Sequence, residues 1–246
     1  MSEKVENITP YKQDSRPKSD QVRDMFDDIA PSYDLMNRVM SFGIDKSWRR
    51  KAVEKIASIQ PLEILDVATG TGDMAIAMAH AISKAHITGV DLSEGMLASA
   101  YAKIDKEGLS KRIDLVKANG MSLPFVDNKF DAIAIAYGIR NFESIFEGYK
   151  EMYRVLKPGG CLTVLELSTP INPVTCWLYR VYADYIIPIT GRLVSGSCRA
   201  YSYLPESVEA VPQRSDMLQL MEKAGFTSAN FHSMTFGSCI IYTAWK

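Results

Sequence analysis

One nine-residue run constrains this chain more than any other. Leu65-Asp66-Val67-Ala68-Thr69-Gly70-Thr71-Gly72-Asp73 carries an apolar strand into two closely spaced glycines and then into a helix, and Asp91 ends the next apolar strand. Glycine turns a backbone sharply through positive φ without steric cost and lets a ligand approach the main chain closely. A strand-to-helix turn at the carboxyl end of a parallel sheet opens a crevice, and an acid about 20 residues further on is placed for ribose hydroxyls. The pattern predicts a nucleotide-type cofactor pocket containing Gly70, Gly72 and Asp91. A glycine turn that merely packed strand on helix would leave the position of Asp91 unexplained.

The glycines alone do not choose the cofactor, because Gly70-Thr71-Gly72-Asp73-Met74-Ala75 also satisfies the loose dinucleotide pattern. Asp73 weighs against a dinucleotide: it puts a carboxylate at the helix start where a pyrophosphate would sit, and two anions there repel. S-adenosylmethionine has no phosphate and carries ammonium and sulfonium charges. It is the expected cofactor, with a nicotinamide as the alternative.

With 246 residues, 47% hydrophobic and 23% charged, the chain is long enough for one α/β domain with a buried core. Its net charge of −1 supplies no basic field, so no nucleic-acid partner is expected. Cys161, Cys176, Cys198 and Cys239 are widely separated, and neither they nor His80, His86 and His232 show ligand spacing, so no metal is expected. The first residues are polar, with Pro10 and Pro17, and lack the apolar stretch of a signal peptide, which predicts a cytoplasmic location. The most apolar long stretch, 174–194, is broken by Arg180, Asp184 and Arg192 and does not read as a membrane span.

Along the chain, residues 1–20 read as a flexible tail and 21–246 as a single domain. Residues 21–60 form lid helices: Val22, Met25, Phe26 and Ile29 recur at helical spacing behind the capping candidates Ser19 and Asp20 until Pro31, and Trp48, Ala52, Ile56 and Ile59 mark a second helix from about 45 to 59. Strands are predicted near 62–68, 86–91, 112–116, 130–136 and 160–166, alternating with helices near 73–83, 94–107 and 143–156, the last stopped by Lys157-Pro158-Gly159-Gly160. After a helix near 213–223, strands 226–233 and 237–245 are joined by so short a turn that they must pair antiparallel. The result is a Rossmann-like α/β fold with a mostly parallel seven-stranded sheet whose last strand is reversed. Within an insert at 168–212, Trp177, Leu178, Val181, Tyr182, Tyr185, Ile186 and Ile189 form an apolar helical stripe that Pro188 should disturb.

Three segments in order resemble one family. Tyr33-Asp34-Leu35-Met36-Asn37-Arg38-Val39-Met40-Ser41 followed by Trp48, the glycine run 65–73, and Arg154-Val155-Leu156-Lys157-Pro158-Gly159-Gly160 with Glu166-Leu167-Ser168 are similar to the diagnostic segments of the quinone-biosynthesis C-methyltransferases over residues 20–246. The resemblance implies the class I S-adenosylmethionine-dependent methyltransferase fold, with Thr69 at the methionyl end of the cofactor, Asp91 at the ribose, and Asn119 and Gly120 at the adenine. Asn119-Gly120 follows strand 112–116 on the same rim as Gly70, although it also reads as an ordinary turn. The family carries histidine where this chain has Asp45, for which a helix N-cap is a sufficient role.

The activity implied is methylation of a quinol ring carbon, demethylmenaquinol in menaquinone biosynthesis or, alternatively, a polyprenyl-methoxy-benzoquinol in ubiquinone biosynthesis. Another lipid or small-molecule methyltransferase and a nicotinamide oxidoreductase stay open. Tyr137-Gly138-Ile139-Arg140-Asn141 lacks the Asn/Asp-Pro-Pro-aromatic pattern of amino-group methyltransferases. Arg140, at the mouth of the crevice, would stabilise a developing quinolate, and Asn141 or Tyr33 would bind a ring oxygen. Arg140 in a surface ion pair and Tyr33 packed under the lid are the competing readings. No general base stands out; Asp34 or water would serve. The prenylated quinol is membrane-embedded, so the stripe from Trp177 to Ile189 is the expected peripheral membrane contact, a cover for the sheet or a subunit contact being the alternatives. Oligomeric state, prenyl length and ring type are not legible.

Overall fold

The computed structural model describes residues 3–182 and 198–246. Seven strands form one sheet: β1 (Glu63–Val67), β2 (His86–Asp91), β3 (Ile113–Lys117), β4 (Phe130–Ala136), β5 (Leu156–Leu167), β6 (Thr227–Met234) and β7 (Cys239–Trp245), in the order β3-β2-β1-β4-β5-β7-β6. β1, β2, β3, β4 and β5 pair parallel, whereas β7 runs antiparallel to both β5 and β6. β7 is therefore the single reversed strand. The strand order turns back between β1 and β4, which places the topological switch point, and hence a crevice, at their carboxyl ends.

Helices cover both faces of the sheet. α1 (Lys18–Ile29), α2 (Tyr33–Met40) and α3 (Asp45–Ala57) precede β1; α4 (Asp73–Ala81), α5 (Glu94–Lys106) and α6 (Ile145–Val155) connect parallel strands; α7 (Pro173–Val181), α8 (Cys198–Ala210) and α9 (Ser215–Lys223) follow β5. Trp48, Ile56, Met74, Met78 and Ile104 pack one face of the sheet, and Tyr149, Met152, Met217, Met221 and Phe226 the other. A third apolar cluster, Val22, Met25, Ile29, Met36, Met96 and Tyr203, seats the lid helices on α5 and α8.

Three local expectations shift. Residues 3–17 lie against the domain instead of trailing from it, with Val5 fully buried in the core and its carbonyl accepting from Lys18 Nζ at 2.6 Å. α1 begins at Lys18 after Pro17, so Ser19 and Asp20 stand inside its first turn rather than capping it. Asp45 is likewise the first residue within α3, not its cap. Of the apolar stripe in the insert, Tyr185, Ile186 and Ile189, with Pro188, lie outside the described residues.

Candidate active site

β1 delivers the chain into a loop that turns three times through the left-handed region, at Ala68 (φ 53°), Gly70 (φ 56°) and Gly72 (φ 82°). A Cβ on Gly70 would meet no atom within 4 Å, so the backbone there is bare toward the crevice. A Cβ on Gly72 would lie 3.2 Å from Ala100 Cβ, which makes Gly72 a helix-packing glycine. The Thr69 hydroxyl donates to Asp66 Oδ2 at 2.6 Å and its amide to the Val90 carbonyl at 2.9 Å. Thr69 thus turns back between β1 and β2, and neither it nor Gly72 is among the residues lining the crevice.

A cavity of about 80 Å³ at the switch point brings Gly70, Asp91, Asn119 and Gly120 together, and Asn141 and Tyr33 also reach it. Asp91 Oδ2 accepts from the Gly70 amide at 2.8 Å and Oδ1 from the Ser93 amide at 2.9 Å. A carboxylate accepts about four hydrogen bonds, so Asp91 keeps capacity for a ribose hydroxyl beyond its backbone amides. Burial pushes the Asp91 carboxyl up, opposed by these amides. Asn119 Oδ1 accepts from the Met121 amide at 2.9 Å, so the turn reading of Asn119 also holds. Gly120 is wedged under Phe142, whose Cζ would be 2.5 Å from a Cβ there. Val90, Leu92, Ala118, Met121 and Phe142 complete an apolar slot of the kind that takes a purine ring.

α1 roofs this cavity. The Ser19 amide and hydroxyl donate to Glu143 Oε1 at 2.8 and 2.7 Å, and Asp27 Oδ1 accepts from Ser93 Oγ at 2.5 Å and the Gly95 amide at 2.8 Å. The one cation lining the cavity, Arg23, is paired with Asp20 and Asp24 at 2.9 and 2.8 Å. The expected repulsion from Asp73 needs correction: its carboxylate is no bare anion, since it meets Lys103 Nζ at 2.5 Å and Arg49 Nη2 at 3.5 Å. Burial raises the Asp73 carboxyl, but Arg49 and Lys103 together hold it below the usual range. The case against a diphosphate rests instead on this lining, where no cation is left uncommitted. A nucleoside bearing its own positive charge fits the residues present.

Phe26, Tyr33 and Tyr137 are shared with a second cavity of about 370 Å³, walled by Met25, Ile29, Met36, Met40, Trp48 and Leu167. Arg140 lines this second cavity and not the crevice mouth, because its guanidinium is buried, donating to Glu166 Oε1 at 2.7 Å and to the Tyr137 carbonyl at 2.5 Å. Burial alone would lower its pKa, but the Glu166 carboxylate together with Tyr33 and Tyr203 more than offsets that and keeps the guanidinium charged. Asn141 is held by the Tyr203 hydroxyl, 3.2 Å from Asn141 Oδ1. Tyr33 packs edge-on against Phe26 with centroids 5.9 Å apart, and burial pushes its hydroxyl up. Asp34 lines neither cavity; it accepts from Thr71 Oγ1 at 2.6 Å and pairs with Lys103 at 2.8 Å.

Four functional candidates escape sequence reading. Arg49 and Tyr137 line the second cavity, Glu166 holds Arg140, and the Asp66 carboxyl is pushed up by burial to about 7. Arg49 carries a faint signal, being four residues after Asp45 and next to Trp48, and Glu166 lies in the third segment of the resemblance.

Residues 14–246 match the ubiE/COQ5 methyltransferase family. A demethylmenaquinone methyltransferase of Bacteroides fragilis is 46% identical over 246 residues, all of both chains. A ubiquinone/menaquinone biosynthesis C-methyltransferase UbiE of Syntrophotalea carbinolica is 46% identical over 95% of this chain and 97% of its own. Among solved structures, the S-adenosylmethionine-dependent methyltransferase SibL superposes with a TM-score of 0.64 at 18% identity over 87% of this chain and 58% of that one, a likeness of fold. Crevice, lid and full-length similarity agree: this chain belongs to the ubiE/COQ5 methyltransferase family.

Proposed function

We propose that the protein methylates a ring carbon of demethylmenaquinol, using S-adenosylmethionine held by Gly70, Asp91, Asn119 and Gly120. The carrying observation is the junction of the two cavities at Phe26, Tyr33 and Tyr137, where a nucleoside slot with a ribose acid opens onto a large, mostly apolar chamber with a cationic floor. The name of the full-length Bacteroides fragilis relative supports the naphthoquinol ring. The name of the Syntrophotalea carbinolica relative supports a benzoquinol as a second substrate of the same chamber.

The cofactor supplies an electrophilic methyl group on sulfonium. The protein positions the quinol so that a carbon beside a ring oxygen faces that methyl, and it stabilises negative charge on the oxygen as its proton leaves. Orientation of two bound reactants accounts for roughly 7–11 kcal/mol of barrier at best. Arg140, charged and buried beside Glu166, and the Tyr33 and Tyr137 side chains line the chamber that would hold that oxygen. Asn141, on the cofactor side, holds the loop through Tyr203.

A tail of about fifteen carbons costs on the order of 10 kcal/mol to expose to water, at ~0.8 kcal/mol per methylene. Among the described residues no helix is long and apolar enough to cross a membrane. The protein therefore meets its substrate at the bilayer surface, through exposed Trp177 of α7 together with Phe42 and Phe236. Phe42 lines the second cavity, as does Tyr182 immediately beyond α7, and Phe236 adjoins cavity-lining Thr235, so the apolar surface and chamber are continuous.

Anaerobic incubation with methyl-labelled cofactor and reduced quinones tests the reading. We expect label in menaquinol when demethylmenaquinol is supplied and saturable calorimetric binding of S-adenosylmethionine but not NAD. Binding of NAD alone, or label in no quinol, overturns it.

A further inference from the structure

Among the described residues, two guanidiniums that line the second cavity each leave a buried nitrogen without a hydrogen-bond partner: Arg49 Nε and Arg140 Nε. A buried donor left unpaired is costly, so two guanidiniums with unused donors on one chamber favour a ligand that brings acceptors. The two guanidiniums differ in commitment. Arg140 is gripped at 2.7 Å by Glu166, whereas Arg49 meets Asp45 at 3.4 Å and Asp73 at 3.5 Å, longer than the ~2.7–2.9 Å of a charge-assisted hydrogen bond. They also approach from different elements, Arg49 from lid helix α3 and Arg140 from the rim after β4.

A para-quinol has two oxygens at opposite ends of one ring. Resting on the quinol reading above, we propose that Arg49 is a substrate-binding residue that takes the second ring oxygen, the one para to the oxygen facing Arg140 and Tyr137. The ring then spans α3 and the rim after β4. A ring with a single oxygen satisfies only one of the two walls, so Arg49 selects diols over simple phenols.

The test uses quenching of Trp48, which lines the same cavity, by two tail-free probes under reducing, anaerobic conditions: 1,4-dihydroxynaphthalene and 1-naphthol. The unsubstituted protein should bind the diol at least tenfold more tightly. Arg49→Gln should weaken the diol about tenfold or more, the range of a lost hydrogen bond to a charged group, and 1-naphthol by less than about threefold. Arg49→Lys keeps the charge between Asp45 and Asp73 but loses the planar fork, and should retain only part of the discrimination. Equal losses for both probes, or unchanged discrimination in both variants, overturn the role of Arg49 while leaving the quinol reading intact. If the unsubstituted protein binds neither probe but binds S-adenosylmethionine, the quinol reading fails and this proposal with it.

Discussion

Asp66 is fully buried at the end of β1, with Oδ2 taking the Thr69 hydroxyl. Burial raises its carboxyl from 3.8 to about 7, only partly offset by hydrogen bonds from Thr69 and the Ala75 amide. The folded protein therefore keeps a proton that the unfolded chain releases. Stability from this group is complete below about pH 4 and is lost as pH rises through 7, by no more than roughly 4 kcal/mol. Lys18 acts in a separate window and with the opposite sign: burial lowers it to about 8, so stability increases as pH climbs from there toward 10.5. We expect thermal melts of Asp66→Asn to flatten between pH 4 and 7 and those of Lys18→Met to flatten between 8 and 10.5; slopes unchanged from the parent would assign both trends to other groups. A second expectation concerns Gly138, whose φ of −106° suits any residue. An added Cβ would stand 2.6 Å from Ala68 Cβ, which is fixed to the strained loop and has no rotamer to escape into. Gly138→Ala should cost about 1–3 kcal/mol and lower Tm by about 2–4 °C per kcal/mol. These residues also show what sequence conveys. Gly70 and Gly72 were readable because glycine advertises positive φ, but Ala68 and Tyr137 adopt it too, at φ 53° and 58°, with no such mark. The depth of Arg140 was not readable at all, since it is created by Glu166, 26 positions away in sequence.

The elements themselves were largely legible, because strand and helix periods survive in a chain whose sheet is covered on both faces. β2 and β4 match the expected 86–91 and 130–136, and the short turn before β7 correctly implied its reversal. β5 begins earlier than expected, at Leu156, because Leu156 pairs with Phe130 of β4; the register then shifts so that Ala132 faces Cys161. α2 was missed as a helix of its own, since eight residues between two turns carry too little periodicity to read. α8 was also missed; Pro205, a residue type that ordinarily breaks a helix, lies within Cys198–Ala210. Burial of Met36 seats α2, and charge ties it to the cofactor loop. Lys103 of α5 meets Asp34 of α2 at 2.8 Å and Asp73 of α4 at 2.5 Å, and Asp34 accepts from Thr71 at 2.6 Å, so one ammonium joins the lid to the cofactor loop. Removing it would leave two carboxylates facing each other. The pairs are partly exposed, which limits their worth to about 1 kcal/mol each. We therefore expect Lys103→Met to lower global stability by only about 1–2 kcal/mol, while amide exchange across residues 33–40 rises well above that of the sheet and falls back when salt screens the repulsion. Uniform exchange across the domain would show that apolar packing alone seats the lid.

At the scale of the molecule, the proposed encounter with a bilayer-embedded substrate has to be reconciled with a net charge of −1. A long-range electrostatic field cannot supply the attraction, so it must be local and apolar. Phe42, Trp177 and Phe236 are 77%, 64% and 82% exposed, from three separate elements, and the 6.2 Å contact between Phe42 and Tyr182 ties the loop after α2 to the end of α7. Aromatic side chains that project singly cost little in water but gain by entering the headgroup boundary together. Exposed Arg38, Lys46 and Arg180 stand on α2, α3 and α7, the elements around the chamber, and each adds about 1 kcal/mol near an anionic surface. Trp177→Asp combined with Phe236→Asp leaves every cavity-lining side chain in place. We expect this variant to melt within about 2 °C of the parent, as surface substitutions do. It should nevertheless fail to float with vesicles containing phosphatidylglycerol, and methylation of a long-chain quinol in those vesicles should fall more than about tenfold, the equivalent of 1.4 kcal/mol of lost attraction. Methylation of tail-free 1,4-dihydroxynaphthalene in solution should be unchanged, because that substrate needs the chamber but not the bilayer. Equal losses on both substrates would mean that α7 and the 235–237 turn shape the chamber itself, and undiminished flotation would place the membrane contact on another face of the protein.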